Sequence, residues 1–428
     1  MRTTKLVEAP TRPRVRVTLL ACAAMAAWAL SAGVAGAQDR PLGAELAEVY
    51  RVGGLTAPEW AEFVNPVQMG FDASGNLYVL DDETYQVVVI DASGNLVRTV
   101  GREGEGPGEF RWPTDLVVWR DGRFAVVDEE HAAYQVFGPD GELERFVRMS
   151  SVAGEAGMAA ACETVRADPA GGSVVAEGAG MGAVFLSAWA DVVEGQQIDV
   201  VGENGKFERL DVSGEVAVAE SVARARQVVP FSVEATTPYF APRVIWDVLP
   251  DGTIAYFDST AYEINLVGAD GGSKGVLERP LHAETVTSGL RSAVIEHLIK
   301  QMEETLEAMV GELADLLPPE EMEEMPDLQK TARERAENQE FYSEVPVLRG
   351  LRATWDGSLW VQRRGENPWD INGPIDVLGP DGQYRGTIAP GAPGMPEAFG
   401  PDGLVAFLEL DEMEVATVVV RRLPIDVR

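Results

Sequence analysis

The sequence predicts an all-β fold, a six-bladed β-propeller closed by an N-terminal strand, with a helical insertion between blades 4 and 5. Two observations predict this fold. A pattern of four short strands is repeated along the chain, and in its clearest copies Pro113 follows Pro66 by 47 residues. The last copy lacks a fourth strand, whereas the end of an unmatched strand stands near residue 50.

The repeated unit is clearest between Asn65 and Arg148. β-Branched and aromatic residues fill its strands, and Asp-Ala-Ser-Gly-Asn segments that begin at Asp72 and Asp91 have the composition of hairpin turns. The later copies begin at Glu163, Pro242, Pro346 and Pro396. A four-strand unit of about 40–50 residues is typical of a propeller blade.

The N-terminal strand is predicted to complete the last blade. Residues 50–69 overlay residues 98–117, so that Tyr50–Val52 corresponds to the end of a fourth strand with no first three before it. Pairing this strand with the last blade closes the ring, and closure removes exposed sheet edges that would otherwise favour aggregation.

Residues 1–37 have the pattern of a secretory signal peptide. A basic head precedes an apolar run, Val15–Ala37, which ends in small residues and predicts cleavage before Gln38. A retained membrane anchor is the alternative. Cys22 lies in a lipobox-like sequence, but the apolar stretch before it is short. We therefore expect an exported protein, periplasmic or extracellular, without a lipid anchor at Cys22 and without a membrane span after cleavage.

The net charge limits the partners. The chain carries a formal charge of −34, so nucleic acid and anionic membrane surfaces are poor partners, while cations and basic ligands suit the field. Solubility outside the cell explains the same charge without any ligand. The sequence names no particular partner, which leaves a protein or a small molecule.

Two long segments interrupt the repeats, Ser213–Ala241 and Pro280–Val345, and both are expected between a fourth strand and the next first strand. Residues 281–345 hold 16 acidic and 5 basic residues. Apolar residues spaced three or four apart from Leu290 to Leu316 predict a helix, and a second helix is expected from Asp327 to Phe341. This insertion is either a lid or docking surface over one face of the ring, or an insertion without a functional role whose acidic side faces solvent.

The ends of the second strands are expected to converge on the face of the ring that carries these insertions. By overlay these positions are Asp81, Asp128, Glu177, Asp258, Arg363 and Glu409. Asp81, Asp128 and Asp258 are candidate ligands of a divalent cation such as Ca²⁺, which binds six to eight oxygens. They are equally candidates to orient a basic or polyhydroxy ligand. The alternative is that each of them accepts backbone N–H groups of the following turn. Arg363 and Arg364 break the acidic series and are candidates to bind a carboxylate or phosphate.

Catalytic motifs are sparse. The three histidines, His131, His282 and His297, are scattered, which disfavours a three-histidine zinc site. The glycine-rich stretch from Gly101 lacks the Lys and Ser/Thr of a phosphate-binding loop. The chain shows no nucleophile elbow. The segments at Asp72 and Asp91 lack the glycine that an EF-hand needs at its sixth position, so they are interpreted as turns.

The chain resembles the NHL-repeat and related six-bladed propellers. The resemblance rests on a glycine-rich loop, a proline that opens a strand, an aspartate and a later apolar strand: Gly101, Gly104, Gly106, Gly108, Phe110, Pro113, Asp128 and Tyr134–Phe137. The resemblance is close over residues 50–148. From 163 to 423 it is limited to the recurrence of four-strand units. Such propellers mostly bind partners, and related rings include lactonases and lyases, so the resemblance implies a fold more than a reaction.

Two functional hypotheses follow. The first is an exported, non-catalytic ligand- or protein-binding propeller that uses the face with the inter-blade loops and the insertion. The second is a metal-dependent enzyme of the lactonase or lyase type, with carboxylates at the mouth of the ring. The lack of a nucleophile–base pair and of a histidine cluster favours the first.

Overall fold

Six four-stranded antiparallel sheets form a closed ring. The computed structural model describes residues 39–43, 45–149, 162–179, 205–226, 237–316, 328–370, 372–391 and 394–428. The expected signal peptide with Cys22, and the expected start of a second inserted helix at Asp327, lie outside the described residues. In the described part of the chain, no helix is long and apolar enough to cross a bilayer.

The strands follow each other in simple meanders. The N-terminal strand is β1 (Ala47–Gly53). Blade 1 consists of β2 (Pro66–Phe71), β3 (Leu77–Asp81), β4 (Gln86–Ile90) and β5 (Leu96–Val100). Blade 2 consists of β6 (Pro113–Val118), β7 (Phe124–Asp128), β8 (Ala133–Phe137) and β9 (Leu143–Arg148). Blade 3 consists of β10 (Cys162–Ala167), β11 (Val174–Ala179), β12 (Lys206–Asp211) and β13 (Val218–Arg224).

The second half of the ring repeats this order around the insertion. Blade 4 consists of β14 (Ile245–Val248), β15 (Ile254–Phe257), β16 (Glu263–Val267) and β17 (Ser273–Glu278). The insertion holds β18 (Glu284–Thr285), α1 (Ser288–Leu316), α2 (Leu328–Glu337) and β19 (Glu344–Val345). Blade 5 consists of β20 (Leu348–Ala353), β21 (Leu359–Arg363), β22 (Ile375–Leu378) and β23 (Tyr384–Ile388). Blade 6 consists of β24 (Ala398–Phe399), β25 (Leu404–Leu410) and β26 (Ala416–Arg422), with β1 on its outer edge.

Closure by the N-terminal strand is confirmed. Strand β1 pairs antiparallel with β26, with Tyr50 opposite Val420 and Val52 opposite Val418. The pairing reaches back to Ala47, beyond the segment predicted from sequence. The last blade is therefore built from both ends of the described chain, which ties residues far apart in sequence into one sheet.

The first long interruption was misplaced. Residues 213–241 were expected to lie after the fourth strand of blade 3, but the structure places that fourth strand, β13, inside them and makes β12 the third strand. All residues of β13 are exposed or half-buried, so its sequence, VAESVAR, lacks the apolar alternation that marks the inner strands.

Hydrophobic side chains fill the space between neighbouring blades. Each junction has its own buried cluster. Between blades 1 and 2, the ring of Phe124 stacks on Phe137 at 4.8 Å and approaches Tyr78 at 5.3 Å. Burying one such side chain contributes about 1.5–3 kcal/mol. The sheets are held by the packing of their faces, which leaves the inner strand edges to line a central channel.

The glycine-rich loop also serves this packing. Phe110 is fully buried, and the main-chain N–H of Phe110 donates to the carbonyl of Arg102 at 2.8 Å. Gly101 has a φ of +94°, and a Cβ there would lie 2.1 Å from the Phe110 ring. Glycine is required because the loop passes directly over this ring.

The first inserted helix packs on one apolar patch. Leu290, Val294 and Leu298 of α1 pack with Phe240 and Val345, and Val294 is fully buried. The predicted helix from Leu290 to Leu316 is present. The second helix ends at Glu337 rather than at Phe341, whose ring joins the same apolar cluster.

A short segment at residues 39–42 binds the outside of blade 5. The N–H of Leu42 donates to the carbonyl of Thr387 at 2.9 Å, and the N–H of Thr387 donates to the carbonyl of Arg40 at 2.8 Å. Leu42 and Leu46 then pack into the core between blades 5 and 6. The chain thus joins two neighbouring blades before β1 begins, an arrangement that the sequence reasoning missed.

Candidate functional site

Strand direction defines two faces of the ring. In every blade, the turn between second and third strands lies at the same end as the connection to the next blade, because the strands alternate in direction. The insertion connects β17 to β20 and therefore lies on this end, which we call the insert face. The turns between first and second strands lie on the opposite face.

Asp81 lies on the insert face, where its carboxylate caps the backbone of its own blade. The carboxylate accepts N–H groups from Val64 at 2.7 Å, Asn65 at 3.3 Å and Thr84 at 3.2 Å, and the side chain is buried. Three donors occupy most of the acceptor capacity of a carboxylate.

Asp128 repeats this arrangement in blade 2. Its fully buried carboxylate accepts the N–H groups of Arg111 at 3.2 Å and Trp112 at 3.1 Å. The amide of Gln135 donates to it at 3.2 Å, and Nδ1 of His131 lies 2.7 Å away. His131 thus contacts the carboxylate that caps this turn through its Nδ1.

The remaining carboxylates of this series have partners as well. Asp258 accepts the N–H of Arg226, and Glu177 accepts the indole N–H of Trp246 at 2.9 Å. Among the described residues, no group of three or more His, Cys, Asp or Glu side chains is arranged to hold a metal ion. A divalent cation at Asp81, Asp128 and Asp258 stays a prediction from sequence.

Arg363 belongs to an ion-pair network at blade 5. Its guanidinium contacts Asp39 at 2.5 Å and buried Asp376 at 3.3 Å, and Arg279 contacts the same two carboxylates at 3.2 and 2.6 Å. Burial alone would raise the pKa of Asp39, but the hydrogen bonds and charges of Arg363 and Arg279 outweigh burial and lower that pKa. The network fastens the N-terminal segment to blades 4 and 5.

Arg364 takes part in a different cluster. Its guanidinium pairs with Glu284 of the insertion at 2.6 Å, and both side chains keep access to solvent. Arg349, at the insert-face end of β20, has its pKa lowered by burial and further lowered by the charges of Arg364 and Arg243. Three cationic side chains therefore gather on the insert face; we call Arg243, Arg349 and Arg364 the arginine cluster.

Aromatic side chains surround the arginine cluster. The guanidinium of Arg349 lies 6.0 Å from the ring centroid of Phe240, and its Nη2 donates to the carbonyl of Pro368 at 2.9 Å. Trp369, next in sequence to this proline, stacks on His297 of α1 with a centroid distance of 4.6 Å and an interplanar angle of 14°. Burial raises the pKa of the Tyr239 hydroxyl, which lies nearby. Sequence reasoning named Arg364 but missed Arg243 and Arg349, because the cluster joins two blades.

The first strands of the blades enclose a central cavity of about 150 Å³. Several of its lining side chains are polar or charged: Gln68, Arg166, Asp247, Arg352 and Glu397. Arg352 lies three residues beyond Arg349 on β20, about 10 Å farther from the insert face at the rise of a strand. Arg349 and Arg352 thus stand on the same strand, β20, at different depths below the insert face.

Comparison with known proteins identifies the fold. Residues 62–145 match a family model described as a 6-bladed beta-propeller. No curated protein matches the chain. The matched residues span the first two blades.

Three solved structures are similar over most of their length. One is a member of the duf4221 family from Bacteroides vulgatus, with 9% identity, a TM-score of 0.47 and coverage of 90% of this chain and 99% of that chain. Another is a gluconolactonase from Xanthomonas campestris, with 13% identity, a TM-score of 0.41 and coverage of 92% and 93%. The third is virginiamycin B lyase from Staphylococcus aureus, with 10% identity, a TM-score of 0.39 and coverage of 89% and 100%. These values carry no inference about activity.

Proposed function

We propose that this propeller is an exported, non-catalytic binding protein whose insert face binds a ligand with an acidic group. The observation that carries the proposal is the arginine cluster. Arg243, Arg349 and Arg364 gather beside the helical insertion in a chain with a formal charge of −34.

The electrostatics of the cluster favour an anion. Burial is the main cause that lowers the pKa of Arg349, Tyr239 acts in the opposite direction, and repulsion by the like charges of Arg364 and Arg243 lowers the pKa further. Arg364 has one carboxylate partner, Glu284, while Arg349 donates to a neutral carbonyl. A carboxylate or phosphate on the ligand would offset this repulsion and would bind a guanidinium with two parallel hydrogen bonds.

The aromatic surroundings favour a ligand that also has an apolar part. Phe240 and the stacked pair His297–Trp369 border the cluster, and α1 stands beside it. Rigid aromatic side chains together with arginine are typical of binding surfaces. Acidic peptides fit this description, with the carboxylates on the cluster and the apolar side chains against the insertion.

Titration calorimetry with a defined acidic peptide, alternating glutamate and leucine, tests the proposal. The double variant R349Q/R364Q is expected to bind at least about 10-fold more weakly, since each charge-assisted hydrogen bond contributes about 1.5–3 kcal/mol. R385Q is the matched control, because Arg385 is an exposed arginine of the same blade that pairs with Asp381 at 3.2 Å. Equal binding by all three proteins would contradict the proposal.

The insertion is proposed as a separable element, residues 281–345, within a propeller of residues 38–428. Its contacts with the ring include the apolar cluster around Phe240 and Val345, the ion pair of Glu284 with Arg364, and the packing of Leu281 and Ala283 against the core between blades 4 and 5. A variant in which a short linker replaces these residues is expected to keep the circular-dichroism spectrum of a β-sheet protein and to lose the peptide. Unfolding of the ring in that variant would show that the insertion is part of its core.

A further inference from the structure

The central cavity is the second place where arginine lies without a full set of acceptors. Its volume of about 150 Å³ gives room for about five water molecules at about 30 Å³ each. The inner edges of all the blades contribute to its wall. A space of this size suits a small ligand and excludes a folded segment.

In the described part of the chain, two of the three carboxylates near this cavity, Asp247 and Asp115, are engaged by the protein itself, and Glu397 is the third. Asp247 accepts the N–H groups of Val248 and Ala353, each at 2.8 Å. Asp115, behind the wall, accepts the amide of Gln68 at 2.7 Å and the N–H of Val165 at 3.2 Å. Both carboxylates thus satisfy backbone N–H groups that the inner edge strands leave unpaired.

The two arginines of the cavity, by contrast, lack hydrogen-bond acceptors. Among the residues that the structure describes, the guanidinium of Arg352 meets no hydrogen-bond acceptor, and Nε of Arg166 has none either. Nη1 of Arg166 donates to the carbonyl of Val165 at 2.8 Å, and its Nε lies 3.6 Å from Asp247. Within the described ranges, both arginines of the wall thus keep N–H donors that no neighbouring acceptor receives.

The charges that face Arg352 act on its pKa in both directions. Burial lowers the pKa of Arg352 first, and the positive charge of Arg166 lowers it further, while Asp247, Glu397 and Asp115 act in the opposite direction. Arg352 is half-buried, and a cation that is partly withdrawn from water without an acceptor is destabilising. An anion between Arg352 and Arg166 would remove both the repulsion and the unused donors.

The cavity is blocked at the opposite face. Arg120 of blade 2 lies over the ring of Trp355 of blade 5, with the guanidinium carbon 4.5 Å from the ring centroid. Both residues line the cavity and belong to turns between first and second strands. A ligand would enter from the insert face, past Arg349.

We propose that the central cavity binds a small carboxylate anion, held by the guanidinium groups of Arg352 and Arg166. A planar carboxylate matches the two parallel donors of a guanidinium. Phosphate fits less well because its second negative charge would lie beside Asp247 and Glu397. The proposal is independent of the arginine cluster, since it concerns different side chains at a deeper level.

Titration calorimetry of the full chain with formate, acetate, lactate and inorganic phosphate, at constant ionic strength, tests this site. At least one carboxylate is expected to bind with a stoichiometry of one and more tightly than phosphate. R352M is expected to weaken that binding by about 10-fold or more, because the bidentate pair is lost. The exposed-site variant R385M is expected to bind the same carboxylate as the unaltered protein does, because Arg385 pairs with Asp381 away from the cavity.

Thermal melting distinguishes a lost site from a damaged fold. Without added anion, R352M is expected to melt at the same or a higher temperature than the unaltered protein, because methionine replaces a half-buried, unpartnered charge with an apolar chain. A marked fall in its melting temperature would show that Arg352 has a structural partner and would overturn the proposal. Failure of every carboxylate to bind, or tighter binding of phosphate, would overturn it as well.

Discussion

Arg120 stacks on Trp355 across the axis of the ring, with 4.5 Å between the guanidinium carbon and the ring centroid. The two residues come from blades 2 and 5, which are three places apart in a ring of six and therefore face each other. Trp355 also packs against the cores on both sides of blade 6. One contact thus closes the channel at the opposite face and joins the two halves of the ring.

Removing this contact should destabilise the propeller. Trp355→Ala is expected to lower the free energy of unfolding by about 2 kcal/mol or more, since it removes a cation–π interaction and partly buried apolar area. Trp355→Phe should lose less than half as much. Urea denaturation measures both effects. Trp112→Ala is the control, because that ring is 57% exposed and should change stability little.

Asp128 should stabilise the fold in the absence of any metal. Asp128→Ala leaves the buried N–H groups of Arg111 and Trp112 without their acceptor, at about 1–3 kcal/mol each. Asp140→Ala, in an exposed turn, is the control. Thermal melting of both variants with EDTA and with Ca²⁺ tests the predicted metal site as well. A Ca²⁺-dependent rise in the melting temperature that Asp128→Ala abolishes would support the metal-dependent enzyme instead.

The buried pair of Arg279 and Asp376 should show strong coupling. Arg279→Met alone leaves a buried carboxylate without one of its cations and is expected to cost about 3 kcal/mol. Asp376→Asn alone should cost a similar amount. In a double-mutant cycle, the combined variant is expected to be more stable than the sum of the single effects predicts, and simple additivity would argue against a coupled network.

The carboxyl of Asp251 should titrate at an unusually low pH. A hydrogen bond from Lys274, with Nζ 2.8 Å away, lowers the pKa of Asp251 to about 2. Because the folded pKa lies below the ordinary value of 3.8, the ion pair stabilises the protein above about pH 4, and this stabilisation is lost as the pH falls towards 2. Carbon NMR of aspartate-labelled protein should show the low pKa, and Lys274→Gln should return it towards 3.8.

Export predicts a defined N-terminus. When the whole chain is expressed in a bacterium with a secretory pathway, the recovered protein is expected to begin at Gln38. N-terminal sequencing of the protein from the periplasm or the medium measures this directly. A protein that keeps Met1 would be evidence for a membrane anchor. The residue that follows Gln38 is Asp39, whose carboxylate pairs with Arg279 and Arg363, so cleavage there would leave the fastening of blade 5 intact.

Much of the fold was contained in local sequence. Turn residues such as Asp72 and Gly101, together with the recurrence of apolar strands, determined the four-strand unit and the number of blades, since turn chemistry and strand pattern act over a few residues. The incomplete last unit also predicted closure by β1. Blade 3 was assigned incorrectly because β13 lies on the surface and needs no apolar pattern.

The candidate sites depended on the tertiary structure. Arg243 and Arg349 lie on different blades, and Arg120 meets Trp355 from the other side of the ring. Neither relationship leaves a periodic trace in the sequence, because each depends on where the closed ring brings distant strands together. Sequence alone determined that this protein is a six-bladed ring with an inserted helix. Only closure of that ring decided which charges meet, since electrostatic interactions depend on distances in space that sequence spacing does not set.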